Sequence, residues 1–238
     1  MLVKAGAEYP GLAANEFLCL EVGRRAGLVV SGHELSADGT LLLVDRFDLH
    51  GKQRLGFEDL AALMDLRVGG ALSDRKYLGS YEAVTRLLAE FTSTPAEALR
   101  AFFGQLALSV LVRNGDAHLK NFGVLYDDAE RWLAPVFDVV TTTIYPYERA
   151  GRQVTDRTMA LRLRPQGDRR YPLPDELLSF GRERCGVSEP GRQVATIADA
   201  IRDTLKEARK DDRIPRRLLK DMTAEWEDSL RHFGKPLR

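Results

Sequence analysis

RNGDAHLKNFGVLYD, residues 113–127, follows directly on a strongly apolar segment, AFFGQLALSVLV at 101–112. The stretch concentrates acids, amides, a histidine and a lysine at the point where a buried helix is expected to end. A loop after such a helix often contains Asn, Gly and Asp, because these residues tolerate turn conformations. A histidine such as His118, taken alone, is more often structural than functional. The loop therefore indicates a site only if a second feature supports it.

A predicted β-hairpin directly after the loop supplies that feature. FGVLY at 122–126 and WLAPVFD at 132–138 have the composition of two short strands. Hairpin strands run antiparallel, so the start of the first lies beside the end of the second. Asp116, Asn121 and Asp138 are therefore expected to converge at one edge of the hairpin.

These three side chains suit phosphoryl transfer. Mg²⁺ prefers hard oxygen ligands and is usually held by one or two carboxylates together with substrate phosphates. Asn121 and Asp138 would supply such oxygens, which leaves Asp116 to accept a hydroxyl proton. Protein kinases use a catalytic-loop Asp, a nearby Asn and a second metal-binding acid. The sequence therefore predicts a phosphotransferase that uses ATP and Mg²⁺.

The start of the chain predicts a small unit of strands and one helix. Residues 1–6 form a strand pattern, and LAANEFLCLEVGRRAGL at 12–28 predicts a helix that Gly27 closes. VVSGHEL at 29–35 and GTLLLVDRFD at 39–48 then predict a hairpin.

From about Gly56 onward the pattern is mainly helical. The most apolar helix has a well-marked start, with Thr94 as a capping residue, Pro95 at the first helical position and Glu97 completing a capping box. Residues 139–172 are expected to be irregular. The predicted helices span 56–66, 80–91, 95–112, 175–184, 195–210 and 216–233.

Two features of the small unit fit a nucleotide-binding lobe. Lys4 ends a strand pattern, as the phosphate-binding lysine of kinases does, and Glu16 on the following helix is expected to pair with it. The strand LLLVDRFD resembles one that leads to a hinge between lobes, where backbone groups of Asp45, Arg46 and Phe47 would bond adenine. Taken alone, a lysine on an edge strand is usually just solvated, and LLLVDRFD is about as typical of an ordinary exposed strand end.

Composition narrows the function classes. The 238 residues include 35 basic and 35 acidic side chains, which argues against a generally basic nucleic-acid-binding surface. The locally basic stretch 209–220 is interrupted by acids, so any contact with DNA is expected to be indirect. The two cysteines, Cys19 and Cys185, form no CxxC motif, which indicates a reducing compartment. With no signal-peptide or membrane-spanning pattern, we expect a cytoplasmic protein with no membrane partner.

The chain resembles the HipA family of serine/threonine kinase toxins from bacterial toxin–antitoxin modules. NGDAHLKNF is similar to the family signature N-x-D-x-H-x-K-N-F, which is long and specific. The similarity covers most of residues 1–185 and weakens in the last helices. Further segments that resemble the family are LVKAGAEYPGLAANEFLCLEVGRRAGL, LLLVDRFD, GFEDLAALMDL and APVFDVVTTTIYP.

The resemblance implies a fold and a set of residue roles. The fold is α+β, a protein-kinase-like bilobal arrangement with a small, truncated β-rich N-lobe over 1–50 and a mainly helical C-lobe over 51–238. Asp116 would be the proton acceptor, and Asn121 and Asp138 would bind Mg²⁺. The residues implied to contact ATP are Lys4, Asp45, Arg46, Phe47, His118, Lys120 and Asn121.

The resemblance also implies partners and one departure. The substrate would be a serine or threonine of a protein such as an aminoacyl-tRNA synthetase, and a DNA-binding antitoxin would restrain the kinase. The family has a phosphate-binding loop before the lysine strand, but this sequence begins only three residues before Lys4. The chain is therefore expected to be a fragment or mis-started frame, to be completed by a separate N-terminal subunit, or to be a degraded kinase.

Three functions remain open from the sequence. The first is the protein kinase described above. The second is an inactive, pseudokinase-like binding module, favoured by the lack of the loop and opposed by the intact acids. The third is a small-molecule phosphotransferase on a kinase-like fold.

Overall fold

A computed structural model describes residues 1–5, 9–51 and 53–233. Its first part is a three-stranded antiparallel sheet with one helix, in which the third strand along the sequence lies between the first two. The predicted hairpin is confirmed, with His33 opposite Val44 and Leu35 opposite Leu42, although its strands are shorter than expected. The elements are β1 (Leu2–Ala5), α1 (Leu12–Arg25), β2 (His33–Leu35) and β3 (Leu41–Val44).

The predicted helix 56–66 is wrong over its first residues. Gly56–Asp59 forms strand β6, and only Leu60–Leu63 forms a helix, α2. The Asp59 carboxylate accepts a hydrogen bond from the Ala62 backbone N–H at 2.9 Å, so the helix starts after Asp59. The apolar spacing fits either element, because periodicity alone cannot separate a short strand from a helix. A short hairpin, β4 (Leu49–His50) and β5 (Gln53–Arg54), precedes this strand.

Helix α4 (Pro95–Leu111) forms the centre of the helical part, as its apolar sequence predicts. It contacts α1 and four further helices, and every residue from Phe102 to Leu111 is buried. Thr94 does occupy the N-cap position with Pro95 after it, but its side chain makes no capping bond, so the predicted capping box is wrong. The other long helices are α3 (Tyr81–Phe91), α5 (Pro174–Cys185), α6 (Pro190–Ala208) and α7 (Arg216–Phe233).

The hairpin after the polar loop is confirmed but shorter than predicted. A short 3₁₀ helix, Leu119–Asn121, leads into β7 (Gly123–Tyr126), which pairs with β6 and with β8 (Arg131–Leu133). The predicted strand 132–138 is wrong beyond Leu133, because Pro135 has no N–H for a ladder and the chain leaves the sheet. Another hairpin, β9 (Tyr147–Arg149) and β10 (Arg152–Val154), lies within the stretch expected to be irregular.

One hydrophobic core joins the two parts of the chain. Core side chains come from the first sheet and α1 as well as from the helices that follow. Trp226 on α7 is fully buried, and its indole N–H donates to the Thr141 hydroxyl at 2.8 Å. The division of the chain at residues 50 and 51 stays a prediction. Among the described residues, none of the helices has both the length and the apolarity needed to cross a bilayer.

The buried side-chain amide of Asn15 holds α1 against the segment that follows the hairpin. It accepts from the Thr141 backbone N–H at 2.8 Å and donates to the Thr141 carbonyl at 3.0 Å. Both residues are fully buried. Because neither backbone group has water as an alternative partner, the amide is needed to satisfy both.

We expect Asn15→Ala to lower the free energy of unfolding by about 2–4 kcal/mol, because it leaves two buried backbone groups unpaired. Urea unfolding followed by tryptophan fluorescence measures the change. Asp199→Ala on α6 is the matched control, since the Asp199 side chain is 74% exposed and its loss should cost less than about 0.5 kcal/mol. Equal stability of Asn15→Ala and the unmodified chain would contradict this role of the amide in docking α1.

Candidate active site

An open cleft of about 800 Å³ lies where the first sheet and α1 face the polar loop and the segment after the hairpin. Five of the predicted site residues line it: Lys4, Asp116, His118, Asn121 and Asp138. Residues that are far apart in the sequence thus share one pocket, because the hairpin and α1 both return to the end of α4.

An ion-pair network occupies the side of the cleft formed by β1 and α1. The Lys4 ammonium lies 2.6 Å from Oε1 of Glu16, and it also contacts Oδ1 of Asp138. Burial by itself would lower the pKa of Lys4, but the two carboxylates outweigh burial and raise it. Lys4 therefore stays charged, and the expected pairing of Lys4 with Glu16 is formed.

The loop that carries Asp116 is fixed from several directions. The Asn114 side chain accepts from the Asp116 backbone N–H at 3.1 Å, and the buried Tyr81 hydroxyl donates to the Ala117 carbonyl at 2.8 Å. A Cβ at Gly115 would lie 2.6 Å from the Thr158 carbonyl oxygen, so this position accepts only glycine. The backbone around Asp116 is therefore rigid.

The Asp116 carboxylate points into the cleft, and the Asp116 side chain is 45% exposed. Its Oδ1 accepts a hydrogen bond from the Tyr77 hydroxyl at 2.7 Å and lies 3.8 Å from Nε2 of His118. Burial lowers the pKa of His118, although the charge of Asp116 opposes that shift. The carboxylate can accept a proton from a hydroxyl group, and Tyr77 already presents one.

Asn121 and Asp138 lie together, but not across a strand ladder as predicted. Asn121 ends the short 3₁₀ helix, and its Nδ2 donates to the Asp138 carbonyl at 3.2 Å. Asp138 lies beyond the end of β8 and has a left-handed backbone, with φ of 51°. The hairpin does bring the two residues together, through one side chain and one backbone carbonyl.

These two residues fit a Mg²⁺ ion held mainly by a nucleotide. The Oδ1 atom of Asn121 is buried, and it has no hydrogen-bond partner in the described part of the chain. The Asp138 side chain is 48% exposed in the cleft. Within the described ranges, no cluster of three or more His, Cys, Asp or Glu forms a complete metal site. One amide and one carboxylate match the sparse protein ligation that Mg²⁺ adopts with substrate phosphates.

Four predicted site residues are not among those lining the cleft. The Lys120 ammonium pairs with the carboxylate of Asp59 at the start of α2. The Asp45 backbone N–H is bonded to the Gly32 carbonyl at 2.7 Å. Arg46 pairs with a neighbouring aspartate, and Phe47 packs on two other phenylalanines. Their contacts with ATP stay predictions.

Two contacts of the site were not indicated by the sequence. Asn15 lies within the segment that resembles the family, but its bonds to Thr141 depend on tertiary packing. Tyr77 lies in a stretch with no helix or strand periodicity. Its only sequence signal is its place between Gly69–Gly70 and Gly79–Ser80, because such clusters are common in surface loops.

The model of the HipA-like C-terminal domain matches residues 1–211 of the chain. The chain belongs to this family. A candidate kinase of Sinorhizobium fredii, Y4dM, is 31% identical over 154 residues, which cover 58% of this chain and 36% of that protein. A candidate kinase of Haemophilus influenzae is 28% identical over 150 residues, which cover 58% of this chain and 44% of that protein. The chain thus spans less than half the length of these two relatives.

Solved structures show the same fold. Shewanella oneidensis HipA, determined with HipB and operator DNA, matches 98% of this chain and 58% of its own, with a TM-score of 0.70 and 18% identity. The Helicobacter pylori proinflammatory kinase CtkA matches 97% of this chain over 86% of its own chain, with a TM-score of 0.67 and 15% identity. The HipA-like chain therefore has the α+β kinase fold predicted from its sequence.

Burial raises the pKa of the Cys19 thiol, one turn after Asn15 on α1, to about 12. We therefore expect Cys19 not to react with DTNB in the native chain at pH 8, because the thiolate is the reactive species. The measurement uses Cys185→Ser, so that only Cys19 is scored. The same variant unfolded in guanidinium is the control and should react fully. Rapid native labelling would show that α1 is not docked as described.

Proposed function

We propose that the chain is an ATP- and Mg²⁺-dependent serine/threonine protein kinase. The observation that carries the proposal is that one cleft is lined by Asp116, on a constrained loop, and by the pair Asn121 and Asp138. The ion pair of Lys4 with Glu16 lies in the same cleft. Membership of the HipA-like family and similarity to kinase folds support the same reaction class.

The reaction depends mainly on positioning and charge, because phosphoryl transfer needs little covalent chemistry from the protein. Lys4, oriented by Glu16, would bind ATP phosphates. Asn121 and Asp138 would hold Mg²⁺, which when bound supplies positive charge to the phosphate oxygens. Asp138 contacts Lys4 and has a side chain that is 48% exposed, so its carboxylate would be accessible as a ligand from the cleft. Asp116 would orient the acceptor hydroxyl and take its proton.

The acceptor and partners are proposed from the family. One solved relative is a HipA in complex with HipB and operator DNA. By analogy, we propose that this chain is the toxin of a toxin–antitoxin module, with a DNA-binding antitoxin as partner and only indirect contact with DNA. An aminoacyl-tRNA synthetase is the proposed class of protein acceptor. A phosphate-binding loop, supplied by a separate N-terminal subunit or an adjoining segment, would complete the nucleotide site.

We expect Asp116→Asn and Asp138→Asn each to reduce transfer from labelled ATP to a Ser/Thr peptide library by about 10²–10⁴-fold. Both changes are nearly isosteric, so the fold should persist. The two variants should differ in binding: Asp116→Asn keeps Mg²⁺-dependent affinity for a fluorescent ATP analogue, whereas Asp138→Asn loses its Mg²⁺ dependence.

The matched control is Asp156→Asn, which removes another carboxylate of the cleft. Asp156 is exposed and bonds the backbone N–H and hydroxyl of Thr158, at 2.8 and 2.7 Å, and no ligand role is assigned to it. Activity should stay close to that of the unmodified chain. ATP turnover that survives Asp116→Asn, or that is stimulated by small alcohols with no peptide labelled, would contradict the proposal.

A further inference from the structure

The hydroxyl of Tyr77 occupies the place expected for an acceptor hydroxyl. A general base must lie about 2.6–3.2 Å from the oxygen whose proton it takes. The Tyr77 hydroxyl oxygen lies 2.7 Å from Oδ1 of Asp116, and Tyr77 lines the same cleft as Lys4 and Asp138. The chain therefore fills its own acceptor position with a hydroxyl that is chemically able to accept a phosphoryl group.

The phenol is held as a hydrogen-bond donor. Its ring packs edge-on against the His118 ring, with the centroids 5.3 Å apart, and the Lys76 ammonium lies 5.0 Å from its centroid. Partial burial, followed by the bond to Asp116, raises the pKa of Tyr77 well above its usual value. The hydroxyl therefore keeps its proton and directs it at Asp116, as a substrate serine or threonine would.

The segment that carries Tyr77 is suited to movement. We call residues 69–79 the Tyr77 strap. Its centre is a 3₁₀ helix, Gly70–Tyr77, of which no residue is buried. Runs of 3₁₀ helix longer than three or four residues are uncommon, because their hydrogen bonds are poor. Gly69, Gly70 and Gly79 have positive φ values of 159°, 51° and 100°, so glycine, the residue with the freest backbone, lies at each end of the strap.

We propose that Tyr77 is an intramolecular acceptor that the chain phosphorylates in cis. The inference rests on the proposed function, since ATP bound in the cleft supplies the phosphoryl group, and it adds this one tyrosine to the serine and threonine acceptors because the fold holds its hydroxyl against Asp116. A bond forms between the tyrosine oxygen and the γ-phosphorus, and the bond from that phosphorus to the β,γ-bridging oxygen breaks. The phenolic proton passes to the Asp116 carboxylate and then to solvent, and ADP leaves.

The charge of the cleft determines where the phosphorylated side chain goes after the transfer. The cleft lining includes the carboxylates of Glu16, Asp116, Asp138 and Asp156 against one lysine, Lys4. Phosphorylation adds a charge of about −1.5 to −2 and acts by repulsion beside acidic groups. Once ADP and Mg²⁺ have left, phosphotyrosine faces these carboxylates without a counter-ion and leaves the cleft, the strap turns about its glycines, and Asp116 becomes free for a protein acceptor.

The test incubates the 238-residue chain with labelled ATP and Mg²⁺ and locates the phosphate by fragmentation mass spectrometry. We expect one phosphate on Tyr77, lost in Tyr77→Phe and in Asp116→Asn. Tyr126→Phe is the matched control: Tyr126 is 38% exposed and is not part of the cleft lining, so its loss should leave labelling unchanged.

Two further readouts separate transfer in cis from a merely structural role. The fraction labelled per unit time should not change when the chain is diluted. Mixing active Tyr77→Phe with a size-tagged Asp116→Asn chain should leave the tagged chain unlabelled. Peptide phosphorylation should show a lag in the unmodified chain that prior incubation with ATP removes, and Tyr77→Phe should show no lag.

The outcomes distinguish this inference from the proposed function. Labelled peptide with no phosphate on Tyr77 overturns the inference and leaves the kinase proposal standing. Label on the tagged chain overturns transfer in cis. If neither labelled peptide nor ADP is formed, both the inference and the kinase proposal are overturned. Mass spectrometry of the unmodified chain gives the decisive result even if Tyr77→Phe fails to fold.

Discussion

The side-chain amide of Asn15 is the constraint on which the cleft depends. It bonds both the N–H and the C=O of Thr141, as a neighbouring strand would, in a position with no access to water. A helix near the start of the chain is thereby fixed to the segment that follows Asp138. Other buried groups complete the same junction, since the Thr141 hydroxyl accepts from Trp226 on the last helix.

This junction determines where the charged groups of the cleft lie. Glu16 follows Asn15 on α1, so fixing the amide also fixes the carboxylate that holds Lys4. Thr141 is three residues beyond Asp138, so the same bonds limit where that carboxylate can go. Lys4 then contacts both acids. One buried polar contact thus sets the spacing of three charges that are far apart in the sequence.

The buried helix α4 and the hairpin after it could be predicted from the sequence, because local pattern and chain topology agree there. Periodicity failed at 56–66, where apolar spacing suits a strand as well as a helix and the capping carboxylate of Asp59 decides the boundary. Tertiary contacts also could not be predicted from the sequence. The bond from Tyr77 to Asp116 joins residues 39 positions apart through a 3₁₀ helix that has no periodic signal. Lys120 matches the family signature, yet its ammonium pairs with Asp59, because the direction of a long flexible side chain follows from the charges around it in the fold.

The two sides of the cleft differ in how firmly they are held. The Asp116 loop is fixed by buried contacts with Tyr81 and Asn114 and by the close approach at Gly115. On the opposite side, strand β1 is largely exposed, and Lys4 is held mainly by its two carboxylate partners. Partly exposed ion pairs constrain position less than packed backbone does. The Asp116 side of the cleft is thus held by packed backbone, whereas the geometry of the Lys4 side depends on ion pairs.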